Sequence, residues 1–170
     1  SDYYKHPFGE VCLAALPTLL RKGRAVETEI LPTLPSDLIK SHEVLELNSD
    51  QKKVVQVVIE SIEKFGVYLL DGVTGSGKTE VYWRLIQETI QNQKQVLILV
   101  PEIGLAPQLT ERLQEKLHIP VVVIHSGLTE KARFEAWLHA SLGAPVIVGT
   151  RSAIFTPLIR PGLIILDEEH

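Results

Sequence analysis

The stretch Gly72-Val73-Thr74-Gly75-Ser76-Gly77-Lys78-Thr79 decides how the rest of the chain is read. It fits Gly-x-x-x-x-Gly-Lys-Ser/Thr at every fixed position, the pattern of a phosphate-binding loop. Gly72 opens the loop and Ser76 completes its turn. Gly75 and Gly77 let the backbone bend tightly and aim its N–H groups at phosphate oxygens. A helix starting at Lys78 adds the positive end of its dipole. Lys78 is placed to reach the β and γ phosphates, and the Thr79 hydroxyl to bind Mg²⁺. A glycine-rich turn can match such a pattern by accident. Here an apolar run, Val67–Leu70, precedes the loop and an amphipathic stretch, 78–90, follows it, as strand–loop–helix requires.

Outward from the loop the pattern is regular. Asn48-Ser49-Asp50 signals a helix start, and Val54, Val55, Val58, Ile59 and Ile62 recur at helical spacing after it. Residues 67–70 read as a strand. In the helix 78–90, Val81, Leu85, Ile86 and Ile90 share one side. Strands follow at 96–100, 121–124, 146–148 and 163–166, with helices at 104–117 and 129–141 between them. The strands are continuous apolar runs, which a sheet covered on both faces demands. The spacing therefore predicts an α/β fold with a mainly parallel sheet flanked by helices.

The last strand, Leu163–Leu166, delivers Asp167 to its C-terminal tip, where open α/β sheets bind their ligands. Asp167 there can hold Mg²⁺, and Glu168 beside it can orient or deprotonate an attacking water. A charged end to a strand is common in itself. The pair gains weight from following the loop by about 90 residues with three strands between. Lys78, Asp167 and Glu168 are thus the candidate catalytic residues, and Thr79 and Asp167 the candidate metal ligands.

Composition narrows the classes. Hydrophobic residues make up 45 % and charged residues 22 % of 170, a globular balance. A net charge of −4 gives no overall sign of nucleic-acid binding, so any such contact rests on local basic groups. Residues 1–25 lean basic, with Lys5, Arg21, Lys22 and Arg24 against Asp2 and Glu10. They read as one apolar helical segment ending at Gly23, and 26–47, with Pro32 and Pro35, as a linker. The single cysteine, Cys12, excludes an internal disulfide or multi-cysteine zinc site here and fits a reducing cytoplasm. No apolar run reaches the roughly 18 residues of a membrane helix.

Five motifs in order, Asp71–Tyr82, Val100–Gln108, His125–Leu128, Gly149–Pro157 and Asp167–His170, closely resemble those of the PriA-type primosomal replication-restart helicases (primosomal protein N-prime), a superfamily-2 group. Tyr3–Val11 resembles the end of that family's N-terminal DNA-binding domain. The resemblance implies an ATP- and Mg²⁺-dependent 3′–5′ DNA helicase acting in primosome assembly. Residues 48–170 would be most of its first RecA-like lobe, incomplete at its C-terminus. It implies that Gln51 reads the adenine, that Asp167 and Glu168 form the Walker B pair of a DEEH box, and that His170 couples hydrolysis to DNA engagement. Pro101–Gln108 and Gly149–Ser152 would lie along the single strand, with Arg151 on a phosphate. The competing reading of Gln51 is an ordinary helix-surface glutamine, that of Arg151 a solvated loop arginine, and His125 reads as structural rather than catalytic. Single-stranded or forked DNA, primosome proteins and single-strand-binding protein are the implied partners, with no membrane. The 22 residues 26–47 are too few for the family's winged-helix domain. Zinc is expected only in a portion following His170.

Two other classes compete. A P-loop kinase would need an acceptor site, for which no residue stands out. A non-catalytic module binding DNA ends or primosome partners through residues 1–25 would need no ATP. In lobes of the implied kind, a strand following the DEEH box lies between the loop strand and the Asp167 strand. Without it, 67–70 and 163–166 either stay apart or close on each other, and this chain alone would bind nucleotide weakly at best and neither hydrolyse it nor unwind DNA. Residues 1–25, lacking their own domain, would dock on the lobe, dimerise or fray.

Overall fold

The computed structural model describes Glu10, Leu13 and residues 16–23, 47–73 and 75–167. Glu168, His170 and the 26–47 linker, except Leu47, lie outside these residues. The elements in chain order are α1 (Thr18–Arg21), α2 (Ser49–Glu60), α3 (Lys78–Gln91), β1 (Gln95–Leu99), α4 (Leu105–Leu117), β2 (Val121–Ile124), α5 (Glu130–Ser141) and β3 (Val146–Gly149). A 3-10 turn over Arg151–Phe155 then leads to β4 (Pro161–Leu166).

The four strands form one sheet in the order β2-β3-β1-β4, and every neighbouring pair is parallel. Ile98 at the centre of β1 stands opposite Val148 of β3 on one side and Ile165 of β4 on the other. Successive side chains of a strand point to opposite faces. Accordingly Val96, Ile98 and Val100 pack with Trp83 and Ile86 of α3 and Leu113 of α4. Leu97 and Leu99 pack on the opposite face with Ala136 and Ala140 of α5 and Ala153 of the 3-10 turn. Val96–Leu99 of β1 are apolar because both faces of the strand are covered. Full burial of one such side chain stabilises the fold by about 1.5–3 kcal/mol.

Helix α3 is buried on two sides. Val81 and Leu85 meet Val55 of α2, while Trp83, Ile86 and Ile90 meet the sheet layer. Helix α2 begins with a reciprocal cap. The Asn48 side chain accepts from the N–H groups of Asp50 and Gln51, and the Gln51 side chain accepts from the Asn48 N–H. No helix among the described residues is long and apolar enough to cross a membrane.

Two expectations are corrected. Residues 67–70 do not form a strand. β4 bonds to β1, and no described strand lies on its other edge, so 67–70 has no ladder to join. An extended segment becomes a strand only through hydrogen bonds to a neighbour. The two segments do not pair as strands, although Leu70 and Leu163 both pack against the Val55–Val81–Leu85 cluster. Val67 is 83 % and Leu69 92 % exposed, and Leu70 alone of the four packs inward, beside Val55, Val81 and Leu85. Nor is 1–25 one continuous helix. Leu16 and Pro17 break it, and α1 resumes at Thr18 with Pro17 as its N-cap. Proline cannot donate to the preceding turn and its ring crowds the carbonyl four residues back. The described part of this segment docks on the lobe: Pro17 is fully buried and α1 packs against α5.

Candidate nucleotide site

The glycine-rich loop ends where α3 begins. Gly77 is the N-cap, with φ 82° and ψ 28°, and Gly75 has φ 79°. Both lie in the left-handed region, where a Cβ costs about 1–3 kcal/mol. A Cβ on Gly77 would in addition collide with the Gln51 amide nitrogen. Within the loop the Ser76 N–H donates to the Val73 carbonyl at 3.1 Å. The Lys78 ammonium folds back across it and donates to the Gly72 carbonyl at 2.8 Å. Its charge is therefore held over the loop, not released to solvent along the helix flank.

Gln51 reaches this loop from α2. Its side-chain oxygen is fixed by the Asn48 N–H at 2.9 Å, which leaves the amide nitrogen facing the carbonyls of Ser76, at 3.4 Å, and Gly77, at 3.3 Å. The capping box thus orients an amide that also steadies the loop. Gln51 is a loop contact here and not an idle surface residue.

Asp167 stands one residue beyond β4. Its N–H donates to the Leu99 carbonyl at 2.9 Å, so the β1–β4 ladder continues through it and fixes its backbone. Asp167 and Thr79 line the same cavity of about 140 Å³ between α3 and α4. The structure therefore brings together the first turn of α3 and the tip of β4, elements about 90 residues apart in sequence, at the strand ends where such sheets bind ligands. A hydroxyl and a carboxylate from two elements suit Mg²⁺, which keeps several waters and takes few protein ligands.

The remaining motifs also gather at the C-terminal ends of strands. Pro101–Gln108 follows β1, and Glu102 to Leu105 are exposed. Gly149–Ser152 follows its parallel neighbour β3, with Arg151 exposed at the start of the 3-10 turn. Gly149 admits no side chain, since a Cβ would strike the Ile124 carbonyl and the Ala153 side chain. His125 follows β2, and its Nδ1 accepts from the Gly127 N–H at 3.1 Å, which makes it a turn former. Among the described residues the Ser152 hydroxyl and the Trp137 indole nitrogen are buried with no hydrogen-bond partner.

Sequence reading passed over Gln95. It is 1 % exposed, donates to the carbonyls of Ala140 and Ala144 at 2.9 Å each, and accepts from the N–H groups of Ile159 and Arg160. This one side chain ties the end of α5 to the approach to β4. The only signal was a polar residue at the head of an apolar strand.

Comparison with known proteins agrees with this architecture. The family model for DEAD/DEAH box helicases matches residues 48–170. The chain belongs to the DEAD/DEAH box helicase family. Within it, the chain resembles replication restart proteins PriA. It is 42 % identical to that of Synechocystis over 160 residues, covering 92 % of this chain and 19 % of the relative. It is 36 % identical to that of Bacillus subtilis over 179 residues, covering 98 % and 22 %. It spans about a fifth of the length of these two curated relatives. Among solved structures, RecG bound to a three-way DNA junction superimposes with a TM-score of 0.65 at 27 % identity, covering 95 % of this chain and 24 % of that one. The RecA-like helicase lobe expected from the motifs is therefore the fold observed.

Proposed function

We propose that residues 48–170 are the nucleotide-handling part of the first motor lobe of an ATP-dependent, 3′–5′ DNA helicase serving replication restart. The observation that carries this reading is the meeting of Thr79, on the first turn of α3, with Asp167, at the tip of β4, in one cavity beside the Lys78 loop. Family membership supports the motor, and the PriA relatives support its setting.

The roles follow from chemistry. Gly72, Gly75, Ser76 and Gly77 shape the loop whose N–H groups receive phosphate oxygens. Lys78 exchanges the Gly72 carbonyl for the β and γ phosphates, a charge-assisted contact and so a stronger one. Thr79 and Asp167 hold Mg²⁺, directly or through its water. The ion, when bound, supplies positive charge beside the phosphates. Glu168 serves as base toward the attacking water. Gln51 reads the adenine from the loop's flank, because an amide matches both donor and acceptor on that edge. His170 couples hydrolysis to DNA. Pro101–Gln108 and Gly149–Ser152 lie at the C-terminal ends of the neighbouring parallel strands β1 and β3 and line the path of single-stranded or forked DNA, with Arg151 on a phosphate. RecG, similar in fold, was captured on a DNA junction. Residues 1–25 are the end of an N-terminal DNA-binding domain, 26–47 a linker, and primosome proteins and single-strand-binding protein the partners in a cytoplasmic setting.

The test is DNA-stimulated phosphate release by a protein extended to the length of the PriA relatives. The parent turns over ATP, and Lys78→Ala abolishes turnover while circular dichroism stays unchanged. Near-normal turnover by a folded Lys78→Ala protein would refute the assignment.

A further inference from the structure

We propose that Asn48 sets the base preference of the nucleotide site, by holding the Gln51 amide in the one orientation that suits adenine and opposes guanine. The inference rests on the reading of Gln51 as the adenine contact.

A primary amide has two ends of opposite character, an oxygen that accepts and a nitrogen that donates. Both ends of Gln51 are tied. The oxygen accepts from the Asn48 backbone N–H at 2.9 Å. The nitrogen faces the carbonyls of Ser76 and Gly77 at 3.4 Å and 3.3 Å. Turning the amide over would set its NH₂ against the Asn48 N–H and its oxygen against the two carbonyls, leaving groups unpaired at both ends. Asn48 is itself held fast. Its side chain accepts from the N–H groups of Asp50 and Gln51, and its carbonyl accepts from the Lys52 N–H at 3.0 Å.

Each tied end keeps some capacity to bond. The oxygen has a second lone pair. The loop contacts lie beyond the usual N–H···O range, so a better acceptor can draw one N–H away. The amide therefore offers one acceptor beside one donor, in a fixed order. Adenine presents the N6 donor beside the N7 acceptor, while guanine presents two acceptors, O6 and N7. The fixed amide matches adenine and sets its oxygen against O6 of guanine. An amide free to turn would offer its NH₂ to O6 instead. Gln51 thus supplies the groups that meet the base, and Asn48 is a positioning residue that acts through it.

The test compares kcat/KM for ATP and for GTP in the length-extended protein. Asn48→Pro removes the tethering N–H at a position whose φ of −69° already suits proline. The preference for ATP should fall about tenfold in this variant, through KM and with kcat for ATP near parental. Asn48→Ala keeps the N–H but loosens the first turn of α2, and should lose less. Asn48→Ser keeps both the N–H and a capping oxygen, and should retain the parental ratio. A purely structural role of the cap would weaken ATP and GTP alike and leave the ratio unchanged. Gln51→Ala should abolish the preference. A preference that survives Gln51→Ala would refute the adenine reading itself. A preference lost in Gln51→Ala but parental in Asn48→Pro would overturn the tether alone. If Asn48→Pro fails to fold by circular dichroism, equal preference in Asn48→Ala and Asn48→Ser overturns it.

Discussion

Two apolar stretches of similar composition, Val96–Leu99 and Val67–Leu70, end in opposite states. The first is the centre of the sheet, bonded to β3 and β4 and 0–8 % exposed. The second pairs with nothing described, and Leu69 is 92 % exposed. β4 is intermediate: its Ile165 is buried against the α3–α4 layer, while Ile164 and Leu166 on its other face are 54 % and 66 % exposed. Hydrophobicity nominates a strand. Hydrogen-bonding neighbours and a covering layer make one.

Hydrogen exchange should give the largest contrast. Amides of Leu97 to Leu99 should open only with global unfolding, while those of Val67 to Leu70 exchange about a thousandfold faster or more. Equal protection of both would break the comparison. Truncation comes next. Leu97→Ala should lower stability by about 4 kcal/mol in urea titration, because it empties a packed site. Leu69→Ala should stay within about 0.5 kcal/mol, as for exposed positions generally. A smaller effect would sharpen the account of the loop. Asn48→Ala should cost about 1 kcal/mol by removing the cap of α2. It should also widen motion of the Gln51 amide at Ser76 and Gly77, visible in the side-chain NMR signal. An unchanged signal would separate cap from loop.

Most of the fold was legible because its signals are local. The Asn48 cap and the run of valines after it set α2. The apolar runs at 96–100, 121–124 and 146–148 became strands within a residue or so of expectation. What failed was non-local. Val67–Leu70 has a strand's composition, but its fate depends on what stands beside β4. The role of Gln95 needed the carbonyls of Ala140 and Ala144 and the amides of Ile159 and Arg160 brought to it from two distant stretches. Likewise, the loop motif announced Lys78 and Thr79. That Gln51 would lie against Ser76 and Gly77 followed only once α2 was packed on α3.

The central claim is that the Lys78 loop and the tip of β4 form one magnesium–nucleotide site. Parallel measurement of Mg-ATP affinity and phosphate release separates its parts, in Asp167→Asn and Glu168→Gln versions of the length-extended protein. Asp167→Asn should lose magnesium-dependent ATP binding. Glu168→Gln should bind Mg-ATP like the parent but hydrolyse it about 10²–10⁴-fold more slowly. Parental affinity and turnover in both variants would contradict the account.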